Sequence, residues 1–137
     1  MPLFNVFDIT GSAMNAESTR LNLIASNLAN AETASSSAAT VYRAREPVFA
    51  TIMYGMVDGQ STGGVRVAGV VESQAPPRKE YDPHNPLADA QGYIHLPNVN
   101  VIEEMANMIS ASRSYQNNVQ VLNTSKQLLL DTLNLGK

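Results

Sequence analysis

The sequence predicts a mainly α-helical protein with a small β insertion, in which long N- and C-terminal helices pair as an antiparallel coiled-coil-like hairpin. Apolar residues recur at helical spacing in both ends of the 137-residue chain. The middle instead holds six of the seven prolines and six of the eight glycines, together with β-branched runs. We therefore predict a discontinuous helical coiled-coil domain, residues 1–32 and 99–137, and a central loop and β-rich insertion with a β-hairpin, residues 33–98.

The N-terminal helix is predicted from apolar side chains spaced seven residues apart: Phe7, Met14, Leu21 and Leu28. Ile24 occupies the complementary position of the same repeat, as in the seam of a coiled coil. Gly11 interrupts the pattern and is expected to cost about 1 kcal/mol relative to alanine in a helix interior. We expect one helix that starts at Asn5 or Asp8 and ends at Ala31.

The C-terminal helix shows a longer repeat with alternating spacings of four and three: Val101, Met105, Met108, Ser112, Tyr115, Val119, Leu122, Lys126, Leu129 and Leu133. Asn98 or Asn100 is the expected N-cap, because an asparagine side chain can accept hydrogen bonds from the first free backbone N–H groups. Glu103 suits the positive end of the helix dipole, and Gly136 is a natural stop.

The central region predicts short strands and turns. Residues 48–54 and 64–71 are rich in β-branched and apolar side chains and are expected to be strands, with residues 58–64 turning the chain between them. The proline-containing stretches 74–80 and 82–86 are expected to be extended connections. The small residues 35–39 predict a mobile loop.

Composition and charge exclude several classes of protein. The net charge of −3 argues against a nucleic-acid binder, which needs a basic face to neutralise phosphates. There is no cysteine, so disulfides and thiolate metal sites are excluded. No stretch is long and apolar enough to be a transmembrane segment, and the N-terminus lacks the pattern of a cleaved signal peptide.

Motifs for catalysis or ligand binding are missing from the sequence. His84 and His95 are the only histidines, and neither has a partner at helical spacing for a metal pair. Gly63-Gly64 is not followed by the lysine and hydroxyl residue of a phosphate-binding loop. We therefore expect no enzyme activity, no catalytic, metal or cofactor-binding residues, no cofactor and no small-molecule substrate.

The two helices carry unusually few charges. Residues 21–31 and 114–125 contain none, although a solvated surface helix normally places charges opposite its apolar stripe. Apolar residues also lie off the main repeat, as at Leu128 and Leu130, so one antiparallel partner cannot cover them all. Two interpretations stay open at this point: a subunit whose helices pack against other chains, and a small helical bundle that dimerises.

Several short motifs, in order along nearly the whole chain, resemble the bacterial flagellar axial proteins (rod, hook and hook-associated proteins), and more narrowly the rod proteins. They lie at residues 26–31 (Ser-Asn-Leu-Ala-Asn-Ala), 11–14, 42–44, 72–76, 85–90 and 110–116. The resemblance implies a structural subunit of the basal-body rod, a torque-transmitting axial shaft with a central channel. It further implies export from the cytoplasm by the flagellar type III apparatus and polymerisation in the periplasm.

The implied partners are copies of the chain itself and other rod proteins, with contacts to the basal-body rings and the export apparatus. The residues expected at helix–helix or subunit interfaces are Phe7, Met14, Leu21, Ile24, Asn27, Leu28, Asn30, Met105, Met108, Tyr115, Val119, Leu122, Leu129 and Leu133. The alternative from another class is a cytoplasmic helical adaptor or export chaperone, which would share the amphipathic helices and the acidic charge.

Overall fold

The computed structural model describes residues 2–57 and 60–135 and contains two long helices and two antiparallel strand pairs. The elements in chain order are α1 (Pro2–Asn30), β1 (Arg45–Val57), β2 (Gln60–Glu72), β3 (Arg78–Tyr81), β4 (Tyr93–Leu96) and α2 (Val101–Leu135). The prediction of a mainly helical protein with a β insertion is therefore confirmed.

Helix α1 is longer at its start than the sequence pattern indicated. It begins at Pro2, before the expected Asn5 or Asp8, and ends at Asn30, one residue short of Ala31. Proline is tolerated in the first turn of a helix because that turn has no intrahelical acceptor for its N–H. At 1.5 Å per residue, the 29 residues of α1 span about 43 Å and the 35 residues of α2 about 52 Å.

Helix α2 begins directly after its N-cap. The Asn100 side-chain oxygen accepts hydrogen bonds from the backbone N–H groups of Ile102 (3.1 Å) and Glu103 (3.4 Å), and its carbonyl accepts the first helical bond. Asn100, and not Asn98, is therefore the cap.

The two helices lie side by side and antiparallel. The Arg20 guanidinium donates to the Asn107 side-chain oxygen at 3.5 Å, and Asn27 lies near the start of α2, where its amide contacts Glu104. Of the described α2 residues, Ala111 and Ser125 are the ones that become buried. Small side chains therefore form the centre of this contact and let the helices approach closely.

Strands β1 and β2 form a hairpin that is longer than predicted. Residues 60–63, expected in a turn, belong to β2 instead, and residues 58 and 59 lie outside the described part of the chain. A Cβ atom on Gly63 would lie 3.1 Å from the Ile52 carbonyl oxygen, so this glycine serves close strand pairing. The pairing is irregular between Val48 and Phe49 and again between Met53 and Gly55.

The second strand pair corrects the prediction for residues 74–86. Residues 78–81 are not an extended connection but the strand β3, which pairs with β4 in the register Arg78 to Leu96 and Tyr81 to Tyr93. Residues 82–86 form a turn, in which the Asn85 N–H donates to the Asp82 carbonyl at 3.2 Å. All four residues of β3 are exposed, so its sequence does not alternate between apolar and polar residues and did not predict a strand.

The loop at residues 35–39 is held in place at its start, contrary to the expectation of a mobile segment. Ser35 and His95 exchange two backbone hydrogen bonds of 2.8 and 3.0 Å, so the loop extends the edge of β4. Close by, a small apolar core of Ala31, Ala44 and Val99 joins the end of α1, the start of β1 and the start of α2.

Candidate functional site

The junction between the helices and the insertion is organised by Asn27, whose side chain is only 1% exposed. Its amide nitrogen donates to the Arg45 carbonyl (3.0 Å) and to the Glu104 carboxylate (3.3 Å). Its amide oxygen accepts from the Tyr42 hydroxyl (2.8 Å) and from the Arg45 N–H (2.9 Å). One asparagine thus binds together α1, the loop before β1, β1 itself and α2.

The Asn27 amide acts on β1 as a neighbouring strand would. It donates to the carbonyl and accepts from the N–H of the same residue, Arg45, as in an antiparallel strand pair. The outer edge of β1 is therefore closed at its first position by a side chain of α1. An asparagine fits this role because its side chain carries both a donor and an acceptor.

Two neighbours of Asn27 in the same motif support the junction. The Ser26 hydroxyl lies 3.2 Å from the Tyr42 hydroxyl, which already donates to Asn27. Asn30 donates to the Ser26 carbonyl at 2.8 Å, within the last turn of α1. The Ser-Asn-Leu-Ala-Asn motif is thus a folding junction in which each polar side chain has a bonded partner.

A groove of about 750 Å³ opens beside this junction. Its floor is α1, one wall is β1, and the other wall is the start of α2. The polar and aromatic side chains that line it include Arg20, Asn27, Glu46, Phe49, Glu103 and Glu104.

The electrostatics of the groove are dominated by carboxylates. Burial raises the pKa of Glu104, and the nearby charges of Glu46 and Glu103 raise it further, while the Asn27 hydrogen bond and the Arg20 charge act in the opposite direction. A carboxylate whose pKa is raised in this way is destabilised in its charged form, so a positive charge brought into the groove would be favourable.

The two arginines of the groove are already engaged. Arg45 forms an ion pair with Glu72 (3.2 Å). Arg20 lies 3.8 Å from the Glu17 carboxylate and donates to Asn107. The three carboxylates of the groove are therefore not neutralised from within it.

The interface residues predicted on α1 lie along its covered side. Ile24 and Asn27 are buried, and the others are half-buried: Phe7, Met14, Leu21, Leu28 and Asn30.

The residues predicted on α2 divide into two groups. Half-buried are Met108, Val119, Leu122 and Leu129, whereas Met105, Tyr115 and Leu133 are exposed. The repeat was predicted from the large apolar residues, but the side of α2 that meets α1 is centred on Ala111 and Ser125. Met105 and Leu133 are 55% and 67% exposed and leave most of their surface outside the contact between the two helices of one chain.

Three junction residues were not found from the sequence: Tyr42, Arg45 and Glu104. They contact Asn27 across 15 to 77 positions of the chain, so no local spacing connects them.

His95 is buried with its Nε2 4.0 Å from Asp89, and His84 is exposed. In the described residues, no group of three or more acidic or histidine side chains is placed to hold a metal ion, and neither helix could span a membrane.

Two protein-family models match the chain. A model described as "Flagella basal body rod protein" matches residues 7–34, which hold most of α1 and the Asn27 motif. A model described as "Flagellar basal body rod FlgEFG protein C-terminal" matches residues 90–135, which hold β4 and α2. The two matches cover most of both helices, and residues 35–89 lie between them.

Curated relatives match over the full length of both chains. The protein of Salmonella typhimurium is 55% identical over 137 residues, and that of Yersinia enterocolitica is 54% identical over 137 residues. The protein of Buchnera aphidicola from Acyrthosiphon pisum is 41% identical over 145 residues. Each is called flagellar basal-body rod protein FlgC.

The paired terminal helices, the β insertion and the family matches define a structural subunit of the bacterial flagellum, not an enzyme. The chain belongs to the FlgC family of flagellar basal-body rod proteins. This membership favours a rod subunit over the adaptor or chaperone alternative.

Proposed function

We propose that the chain polymerises with copies of itself and with other rod proteins, and that its two helices complete a coiled-coil layer of the torque-transmitting, channel-bearing shaft. The observation that carries this proposal is the apolar surface that α2 leaves uncovered. Two further parts rest on the resemblance to axial proteins. These are export by the flagellar type III apparatus to the periplasm without a cleaved signal peptide, and contacts with the basal-body rings and export apparatus.

The buried core of the chain is small for its length. Its buried apolar residues among those described are Ala16, Ile24, Ala31, Val41, Ala44, Ile94, Leu96, Val99 and Ala111, four of which are alanines. The largest fully buried side chains are an asparagine and a proline, Asn27 and Pro97. Burial of large apolar side chains is the main source of folding free energy, so this chain derives little of it from its own core.

Many large apolar side chains lie exposed on the outer side of α2 instead of in a core. Ile102, Met105 and Ile109 follow one another at helical spacing, and Ile102 is 80% exposed. At the other end of α2, Leu128, Leu130, Leu133 and Leu135 are exposed, the last at 88%. Exposed apolar stripes of this extent mark surfaces that other chains cover.

These positions give separate roles to the predicted interface residues. Within the proposed coiled-coil domain of residues 1–32 and 99–137, the half-buried set contributes to the pairing of α1 with α2. The exposed set contributes to contacts between subunits: Met105, Tyr115 and Leu133. The insertion of residues 33–98 forms the outer part of the subunit.

Leu122→Asp tests the helix pairing on which assembly depends. Leu122 is half-buried on the side of α2 that faces α1, and an unpaired carboxylate there carries a large desolvation cost. We expect the variant to be absent from isolated basal bodies of cells that lack the native protein. The matched control is Asn123→Asp, which adds the same charge at the next, exposed position and is expected to assemble. Normal incorporation of Leu122→Asp would contradict the proposal.

A further inference from the structure

Among the described residues, the outer edge of β1 has no strand partner from Phe49 to Met53. Thr51 pairs with Val65 of β2, but the Val65 N–H donates to the Ser12 hydroxyl of α1 at 3.2 Å and therefore points away from β1. In an antiparallel ladder, the two residues of such a pair both direct their N–H and C=O groups outward. The N–H and C=O groups of Thr51 thus point away from β2. Those of Phe49 and Met53 do the same, because these residues lie two positions from Thr51 in the same register.

The two edges of the hairpin are treated differently. The edge of β2 is contacted by α1 at Val65 through Ser12, whereas β1 has one strand neighbour only, within the part of the chain described. The Asn27 side chain bonds both backbone groups of Arg45 at the β1 edge, and Pro47 has no N–H that could pair with another strand. From residue 49 to residue 53 the edge is uncharged and lies between the two irregularities of the strand, without the charges that usually protect such edges.

This open edge borders the acidic groove. Phe49 belongs to both the edge and the groove, Glu46 lines the groove three residues earlier in β1, and the opposite wall adds Glu103 and Glu104. An extended segment that entered here would gain backbone hydrogen bonds from β1 and would place its side chains among three carboxylates. The groove therefore selects an extended segment that carries positive charge.

We propose that the occupant is strand β3 of a second copy, Arg78–Tyr81, which adds to the outer edge of β1 and places Lys79 near Glu46. The inference deepens the proposed function, because it rests on polymerisation of the chain and names one contact between copies.

Among the described extended segments, β3 has the properties that the groove requires. It is fully exposed, it has a strand neighbour on one side only, and it carries Arg78 and Lys79. Arg78 donates to the carbonyls of Pro97 and Ala31 in its own chain, which leaves Lys79 as the cation for the groove. Two other strands carry an exposed arginine. In β1 this is Arg45, which is paired with Glu72, and in β2 it is Arg66, next to the position where α1 contacts the β2 edge.

The proposed contact joins two different surfaces of the chain. Such a heterologous contact can repeat from copy to copy without closing, as a polymer requires. The groove and β3 both lie at the insertion end of the helix pair, since Asn27 lines the groove and Arg78 contacts Ala31. The contact would therefore connect copies side by side rather than end to end.

An exchange of charges tests the contact in cells that lack the native protein. We expect Glu46→Lys and Lys79→Glu each to lower the amount of the chain in isolated rods about tenfold, because each places like charges together. The double variant E46K/K79E is expected to restore incorporation to within about twofold of the native level, since opposite charges then meet again. Asp8→Lys and Arg66→Glu are charge reversals of the same kind at exposed positions outside the contact and are expected to assemble normally.

Cross-linking supplies a second measurement that does not depend on charge. The native chain has no cysteine, so the variant E46C/K79C is expected to give a ladder of disulfide-linked copies in isolated rods, and either single variant none. Normal incorporation of both single charge variants, failure of the double variant to restore it, or absence of the ladder would each overturn the inference. Absence of the native chain from rods would overturn the proposed function and this inference with it.

Discussion

At the scale of single residues, Asn27 shows how a motif can be a folding device. Its side chain replaces a peptide group at the edge of β1 and also bonds Tyr42 and Glu104, so one amide fixes the insertion against both helices. Four hydrogen bonds satisfy it fully, and this is why a polar side chain can be almost completely buried at this point.

Asn27→Ala is expected to lower the free energy of unfolding by about 3 kcal/mol, because it removes the partner of the Arg45 N–H and C=O and leaves the Tyr42 hydroxyl with Ser26 alone. Urea unfolding followed by tyrosine fluorescence measures this. The control is Asn30→Ala, which removes one bond within the last turn of α1 and is expected to cost about 1 kcal/mol or less. Equal losses in the two variants would contradict the role of Asn27.

Glu104 makes the free energy of unfolding depend on pH, and the sign of this dependence follows from its raised pKa. Since its pKa is raised in the folded chain by burial and by Glu46 and Glu103, the folded state binds more protons than the unfolded state just above the ordinary pKa of 4.5. The free energy of unfolding therefore decreases as the pH rises through this window. At neutral pH the charged carboxylate is a local cost.

Glu104→Gln is expected to remove this dependence and to make the chain at least as stable as the native one at pH 7. The glutamine oxygen can still accept the hydrogen bond from Asn27. Urea unfolding at pH 5 and pH 7 is the measurement, with Glu32→Gln, an exposed carboxylate, as the control. A variant that is less stable than the native chain at pH 7 but equal to it at pH 5 would contradict the role of Glu104.

At the scale of elements, both helices could be predicted from the sequence, but the side on which they contact each other could be predicted only in part. Seven-residue apolar spacing indicated α1 and α2, and the two candidate caps, Asn98 and Asn100, located the start of α2 to within two residues. The predicted repeat overlaps only in part with the side of α2 that meets α1, because large apolar residues dominate the pattern whereas the buried residues of α2 are Ala111 and Ser125. In a subunit that other chains cover, large apolar residues do not identify the internal contact.

The insertion was predicted less well for a different reason. The β-hairpin had a clear β-branched signal, but β3 is exposed at every residue and its pairing with β4 spans residues 78 to 96. The junction was recognisable only as the motif around Asn27. Its partners come from three other parts of the chain, and no local pattern reveals such contacts.

Replacing either of two glycines by alanine is expected to change the free energy of unfolding, in opposite directions at the two positions. Gly92 has a φ of +85°, and a Cβ there would lie 2.9 Å from the Tyr81 ring, so Gly92→Ala is expected to cost about 2 kcal/mol. Gly11 lies inside α1 with nothing within 4 Å of the added Cβ, and Gly11→Ala is expected to stabilise by about 1 kcal/mol. Thermal unfolding followed by circular dichroism measures both. The same sign for the two variants would contradict the left-handed backbone at Gly92 or the open space beside Gly11.

At the scale of the whole molecule, stability is distributed unevenly along the helix pair. The insertion end is fixed by the Asn27 hydrogen bonds and by the core of Ala31, Ala44 and Val99. The other end has few large buried side chains, and several leucines of α2 are exposed there. Helices that lack apolar partners are marginal on their own, so we expect this end to depend on neighbouring chains.

Hydrogen exchange of backbone amides tests this dependence most directly, by comparing the free chain at low concentration with the chain in isolated rods. In the free chain, we expect residues 20–30 and 101–111 to be protected. Residues 118–135 should exchange about 100-fold faster in the free chain than in rods, because the free helix end opens locally at low cost. Equal, strong protection of residues 118–135 in both states would show that the lone chain already completes its own core, and would contradict its dependence on neighbouring chains.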